Sequence, residues 1–226
     1  MKEFMIIGHR GACYYKPENT ISSFKKALQL KCKFIECDVR LTKDNKVIII
    51  HDKTLERTTN AKGLVKNFTL KELKKLDAGE NEKIPTLQEL IDLVKNKANL
   101  VIELKKCNNI VEKVNEIINK NKIQNNVLIV SFHSNYLKRI KKLNKKIKTG
   151  LLSVRPILIV KRARLCKADS VGIYYWFLNK RLIDKVHKNN LKIFAYEKPI
   201  ENLSKKNIKK LISLGLDGIA LNKATL

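Results

Sequence analysis

Short apolar runs alternate along the chain with longer stretches in which apolar residues recur at helical spacing. The short runs are Phe4 to Gly8, Phe34 to Val39, Leu100 to Leu104, Val127 to Phe132, Lys148 to Leu152, Ser170 to Ile173, Lys192 to Tyr196 and Asp217 to Leu221. Each is too short for a stable helix and is read as a buried strand. Between them, Thr20 is a candidate N-cap for a helix carrying Ile21, Phe24, Ala27 and Leu28 on one side. Thr86-x-x-Glu89 is a capping box that opens a helix with Leu87, Leu90, Ile91 and Val94 on its inner face. Helical spacing recurs over Ile110 to Ile118, Tyr136 to Leu143, Leu182 to Val186 and Ile208 to Leu214, whereas Ile157 to Val160 is an apolar segment of no clear period. Strands alternating with helices predict a parallel sheet, and eight such strands are what an α/β (β/α)8 TIM barrel needs. A doubly wound open sheet is the alternative, but no GxGxxG follows an early strand.

One region breaks the alternation. After the second strand and the polar turn Thr42-Lys-Asp-Asn-Lys46, the chain returns as a further apolar run, Val47 to Ile50. A polar excursion over residues 53–83 follows, with a capping box at Thr69-x-x-Glu72 over Leu70, Leu73 and Leu76. Residues 53–83 are therefore expected to form an insert in the second strand-to-helix loop, where they would shape the substrate cavity. No linker rich in Pro, Gly or Ser divides the chain, so residues 1–226 are read as a single barrel domain carrying this insert.

Charge changes the picture more than composition does. The formal net charge is +27, from 48 Lys and Arg against 21 Asp and Glu. The lysines are spread along the chain, which reads as solvated helix faces. Even so, such a field favours an anionic substrate and adds an anionic membrane surface as a candidate partner. No arginine-rich or aromatic-interleaved motif points to specific nucleic acid. Five scattered cysteines without metal spacing read as reduced core residues. The N-terminal apolar run is too short for a signal peptide, and no segment is long enough to span a bilayer, so the cytoplasm is expected.

Active sites of barrels lie at the C-terminal ends of strands, and the charged residues fall there. Side chains two apart on a strand share a face, so Glu36 and Asp38 converge at the end of the second strand. Adjacent carboxylates repel unless a cation or proton lies between them. With Glu103 at the end of the third strand they make an all-oxygen site for a hard divalent cation, Mg²⁺ or Ca²⁺. His9 follows the first strand and His51 ends the Val47 to Ile50 run; two imidazoles supply an acid and a base. Arg10 and Lys105 add fixed cations beside the metal, suited to a phosphate. Gly8 and Gly11 let the backbone turn tightly around a ligand. The pattern reads as a metal-dependent phosphodiesterase or phosphatase, with enolase-like proton abstraction as the alternative. His133, His187, Cys13 and Cys107 have no such setting and are read as structural or surface residues.

Several short motifs in fixed order resemble the glycerophosphodiester phosphodiesterase family. They are Gly8-His-Arg-Gly11, Pro17-Glu-Asn-Thr20, Glu36-x-Asp38-Val39, His51-Asp52, Leu55-Glu-Arg-Thr-Thr59, Leu76-Asp-Ala-Gly79, Ile84-Pro-Thr-Leu87 and Ile102-Glu-Leu-Lys105. The resemblance implies a phosphodiesterase-type barrel that hydrolyses small glycerophosphodiesters to glycerol 3-phosphate and an alcohol. It implies Glu36, Asp38 and Glu103 as metal ligands, His9 as base, His51 as acid, and Arg10 and Lys105 as phosphate contacts. The sequence departs from the family where Tyr196-Glu-Lys-Pro199 stands in place of a Trp-Thr-Val-Asn motif, the lone Trp176 lying elsewhere. Two other functions compete: a lysophospholipase D-type enzyme at membranes, and a non-catalytic barrel that binds anionic ligands or nucleic acid.

Overall fold

The computed structural model describes residues 4–198 and 201–225. Nine strands occur among them: β1 (Met5–Gly8), β2 (Phe34–Leu41), β3 (Val47–Ile49), β4 (Asn99–Leu104), β5 (Val127–Ser131), β6 (Lys148–Ser153), β7 (Ser170–Tyr174), β8 (Lys192–Tyr196) and β9 (Gly218–Leu221). Eight are parallel neighbours in the order β1-β2-β4-β5-β6-β7-β8-β9, and β9 pairs back onto β1 from Met5↔Gly218 to Gly8↔Leu221. The sheet is thus a closed barrel with no free edge among these eight. The helices are α1 (Ile21–Gln29), α2 (Leu70–Leu73), α3 (Leu87–Val94), α4 (Ile110–Asn121), α5 (Ser134–Leu143), α6 (Ile159–Leu165), α7 (Lys180–His187) and α8 (Lys205–Ser213). The two capping boxes form, at Thr69 with Glu72 and at Thr86 with Glu89.

The core has two layers. Ile7, Val101, Val130, Phe194 and Ala220 pack inside the barrel. Their neighbours along each strand, such as Ile35, Ile102 and Ile129, face outward onto α1, α3 and α4. This alternation is the period of two that sorts a strand's side chains between barrel interior and helix layer. Lys138 and Lys142 of α5 and the lysines of α8 stand on exposed outer faces, while Leu137, Ile140, Ile208 and Leu211 turn inward.

Two features differ from the sequence expectation. The apolar segment at Ile157 to Val160 opens α6, which supplies the crossover between β6 and β7. Its buried residues Ile159, Val160 and Ala163 follow directly on the exposed Ile157 and Leu158, so four consecutive apolar residues hide the helical period. The second feature is β2, which runs on to Leu41 because β3 pairs with its end antiparallel, at Val39↔Ile49, Arg40↔Ile48 and Leu41↔Val47. Ile48 of β3 and residues after that strand collect a small core of their own, with Ile50, Leu55, Val65, Leu73, Ala78 and Ile84.

Candidate active site

The turn after β1 is built on two glycines. A Cβ on Gly11, whose φ is +87°, would lie 2.4 Å from Ser23 Oγ, and one on Gly8 would lie 2.5 Å from the Gly11 carbonyl oxygen. The chain reverses so tightly that Arg10 sits at φ +52° and its backbone N–H donates to Glu36 Oε2 at 2.7 Å. Ser23 Oγ locks the turn, accepting from Ala12 N–H and donating to the Arg10 carbonyl, each at 2.9 Å.

Register brings the third carboxylate. In the β2–β4 pairing Asp38 lies opposite Glu103, so Glu36, Asp38 and Glu103 each offer an oxygen within 4.8 Å of the others. Lys105 Nζ bridges Asp38 Oδ1 at 2.9 Å and Glu103 Oε1 at 2.5 Å. Asn19 clasps Asp38 from behind, donating to Oδ2 at 2.9 Å and accepting from its N–H at 3.3 Å. Arg10 Nε is 3.4 Å from the same Oδ2, and Arg10 Nη1 donates to Glu18 at 2.7 Å.

The three acids respond differently. Burial raises the Asp38 carboxyl, but Lys105 and Arg10 outweigh it and hold it well below the usual range. Burial, with Asp38 and Glu103 nearby, pushes Glu36 well above its ordinary value. Burial also lifts Glu103 to about 7, despite Lys105. Two adjacent cations therefore do not neutralise the cluster. An all-oxygen donor set with surplus negative charge fits a hard divalent cation.

Both histidines are oriented from behind. His51 Nδ1 lies 2.5 Å from Asp52 Oδ1, and Arg57 Nε donates to Asp52 Oδ2 at 2.6 Å. Arg57 also reaches Glu18 with both terminal nitrogens, at 2.7 and 2.8 Å, so one chain of charges joins His51 to Arg10. The Arg57 hydrogen bond keeps Asp52 ionised far into acid. An ionised carboxylate only accepts, which makes His51 Nδ1 the donor. Arg40 fixes the His51 backbone, donating to its carbonyl from Nε at 2.9 Å and Nη2 at 2.7 Å. His9 Nδ1 is 2.8 Å from Asn222 Oδ1. The Asn222 amide nitrogen donates to the carbonyls of Lys198 and Glu201, at 2.7 and 2.6 Å, so its oxygen must face His9. Each imidazole thus keeps Nε2 for the cavity that it lines. Burial and the Arg10 guanidinium lower His9 to about 4, and burial lowers His51 against the pull of Asp38.

The cavity holds about 290 Å³ and reaches into the barrel. His9, Arg10, Glu36, His51, Glu103 and Lys105 form its polar end, with Asp38 buried just behind them. Its apolar wall includes Leu152, Phe132 and Tyr196, the last two rings edge to face at 6.3 Å. No residue of 53–83 lines this cavity, so the expectation that the insert shapes it does not hold; the insert meets the site through Arg57 instead.

All seven residues singled out from the sequence meet at this mouth. Asn222, Asn19, Glu18, Asp52, Arg57 and Glu197 were not assigned roles. Glu18, Asn19, Asp52 and Arg57 sit inside the matched motifs, and Asn222 follows the last strand, where a barrel does chemistry. The departure after β8 also acquires a meaning, though Pro199 lies outside the described residues. Tyr196 supplies the aromatic wall. Glu197, 1% exposed, accepts from the N–H groups of Asn222 at 2.6 Å and Leu203 at 2.9 Å, and so anchors the residue that holds His9. Trp176 is not on this wall. His133 stacks beside Tyr136, and His187 pairs with Asp217 at the opposite end of the barrel. Burial pushes the Cys13 thiol up to about 12, which leaves it no nucleophile.

Carboxylates able to hold a hard cation, with two oriented imidazoles and two cations around an anion-sized space, define a hydrolase of phosphate esters. The model of the Glycerophosphoryl diester phosphodiesterase family matches residues 9–226, and the chain belongs to that family. It is a phosphoric diester hydrolase acting on glycerophosphodiesters. A glycerophosphodiester phosphodiesterase of Caldanaerobacter subterraneus is 38% identical over 231 residues, covering 95% of this chain and 92% of that one. One from Bacillus altitudinis is 35% identical over 231 residues, with the same coverage. Among solved structures, an Oleispira antarctica phosphodiesterase in complex with the product sn-glycerol-3-phosphate aligns with a TM-score of 0.90 and 28% identity, over 97% of this chain and 93% of that one.

Proposed function

We propose that residues 1–226 act as one barrel domain, with 53–83 as an insert, that hydrolyses small glycerophosphodiesters to glycerol 3-phosphate and an alcohol. The reaction depends on a divalent cation, Mg²⁺ or Ca²⁺. One observation carries the reading: Glu36, Glu103 and both imidazoles line a single cavity with Arg10 and Lys105, and Asp38 lies directly behind with an oxygen within 4.8 Å of the other two carboxylates. The product bound to the Oleispira antarctica enzyme supports the choice of glycerol 3-phosphate. The cavity's size, at the lower end for ligand sites, supports a small substrate.

Glu36, Asp38 and Glu103 hold the cation, which supplies positive charge to a phosphodiester oxygen when bound. Arg10 and Lys105 face the remaining phosphate charge. His9, neutral at physiological pH because its protonated form is disfavoured, takes the proton of the attacking group, either water or the neighbouring glycerol hydroxyl; in the second case a cyclic phosphate forms first, and water then opens it to glycerol 3-phosphate. As the new P–O bond forms, the bond to the alcohol breaks, and His51 delivers a proton to the departing oxygen. Asp52 supports the imidazolium that this acid requires. The compartment proposed is the cytoplasm: all five cysteines are free thiols, and no helix among the described residues is long and apolar enough to cross a membrane.

The test is a metal-supplemented screen of glycerophosphodiesters with enzymatic detection of glycerol 3-phosphate. Release of the alcohol with phosphate left on it, and no glycerol 3-phosphate, would overturn the assignment of the cleaved bond.

A further inference from the structure

Ten large hydrophobic side chains are exposed among the described residues, and their distribution is uneven. Leu143, Leu165 and Ile212 lie on helices. The other seven lie in loops that leave the C-terminal ends of barrel strands, on the rim that carries His9 and His51. The densest group is on the loops after the neighbouring strands β6 and β7. Ile157 is 66% exposed, Leu158 65% and Trp176 73%, with Val154 beside them. Leu158 is held at φ +50°, a left-handed conformation that costs a residue with a Cβ about 1–2 kcal/mol.

The same two loops are basic. Residues 153–161 carry Arg155 and Lys161, and residues 174–181 carry Lys180 and Arg181, all exposed; neither stretch contains an Asp or Glu. Lys180 pairs with Asp184 one helical turn on. Aliphatic side chains and a tryptophan standing free in water among cations suit a bilayer interface, where apolar groups enter the acyl boundary and lysine and arginine meet lipid phosphates. A net charge of +27 adds long-range attraction of the same sign.

We propose that the loops after β6 and β7 dock the active-site rim onto an anionic lipid bilayer, through Val154, Ile157, Leu158 and Trp176 with Arg155 and Arg181 around them. The docking is a property of this face and does not depend on which phosphodiester is cleaved.

Trp176 is the only tryptophan of the chain, so its emission reports on this patch alone. Phosphatidylglycerol vesicles should shift that emission to the blue and carry the protein into the pellet; phosphatidylcholine vesicles should do neither. The double variant I157S/L158S should bind phosphatidylglycerol vesicles about tenfold more weakly, the order of one partly buried aliphatic side chain per position. Its thermal transition should be unchanged, since both side chains are exposed. Pelleting without a tryptophan shift, or pelleting that the double variant leaves intact, would mean adsorption by bulk charge through other faces and would overturn the proposal. So would absence of binding, or a smaller mass of the double variant in light scattering, which would make the patch a subunit interface.

Discussion

Asn222 Oδ1 lies 2.8 Å from His9 Nδ1, although 213 residues separate them in the chain. The two meet because β9 closes the barrel against β1, which sets their C-terminal ends side by side. Asn222 is itself held by Glu197 through its backbone N–H and by two carbonyls through its amide. The imidazole of His9 therefore has one tautomer and one orientation. Asn222→Ala should lower kcat about 10- to 100-fold with little change in KM, as for other groups that orient a reacting side chain. Asn222→Asp should retain more activity, because a carboxylate also accepts from Nδ1–H. A nearby anion favours the imidazolium, so it should move the acid limb of kcat/KM to higher pH. Equal activity and identical pH profiles in all three proteins would show that Asn222 does not position His9.

The carboxylate cluster trades stability for binding. Chelation should abolish activity, and addition of Mg²⁺ or Ca²⁺ to chelated protein should raise its melting temperature. Glu36 is raised above its ordinary value, so in metal-free protein its ionisation costs stability: the loss begins above the unfolded-state value and grows as pH rises toward the folded one. Glu36→Gln should therefore melt at or above the wild type in chelator at neutral pH, yet lose activity and the stabilisation by metal. Thermal scans with and without metal read this directly; full activity in excess chelator with no metal by elemental analysis would contradict it.

The two histidines should separate by leaving group. A protonating acid matters little when the leaving oxygen is already stable as an anion. His51→Ala should be severe on a glycerophosphodiester, by about 10²- to 10⁴-fold, and much milder on a nitrophenyl phosphodiester. His9→Ala should impair both substrates alike. Measurement of kcat/KM for both variants, at equal metal content, assigns the roles; rescue of His9→Ala alone by the nitrophenyl ester would reverse them.

Arg57 carries the influence of the insert. It bonds Asp52 on one side and Glu18 on the other, behind His51 and Arg10 respectively. Arg57→Ala should cost about 10-fold or more in kcat on a glycerophosphodiester and less on a nitrophenyl ester, because the Asp52–His51 pair serves the departing oxygen. An equal loss on both substrates would point instead to phosphate binding through Arg10.

Local pattern was enough for much of this protein. A period of two places Glu36 beside Asp38 and Glu103 beside Lys105, because strand geometry is a property of consecutive residues. Capping boxes at Thr69 and Thr86 are likewise local, and eight apolar runs alternating with helical stretches suffice for the barrel. The helix α6 is not legible in the same way, because the exposed Ile157 and Leu158 run straight into its buried Ile159 and Val160 and leave no helical period. Everything that crosses between strands needed the closed sheet. The β2–β4 register sets Asp38 against Glu103, β9 brings Asn222 to His9, and Glu197 turns an apparent departure from the family into the anchor of that contact. Exposure is decided there too: Ile157, Leu158 and Trp176 read as ordinary apolar residues in the chain, and only the packing of β6, β7 and their helices leaves them outside. A sequence specifies which side chains alternate along each strand; the barrel's closure decides which strands' ends face one another, and so which residues share a site.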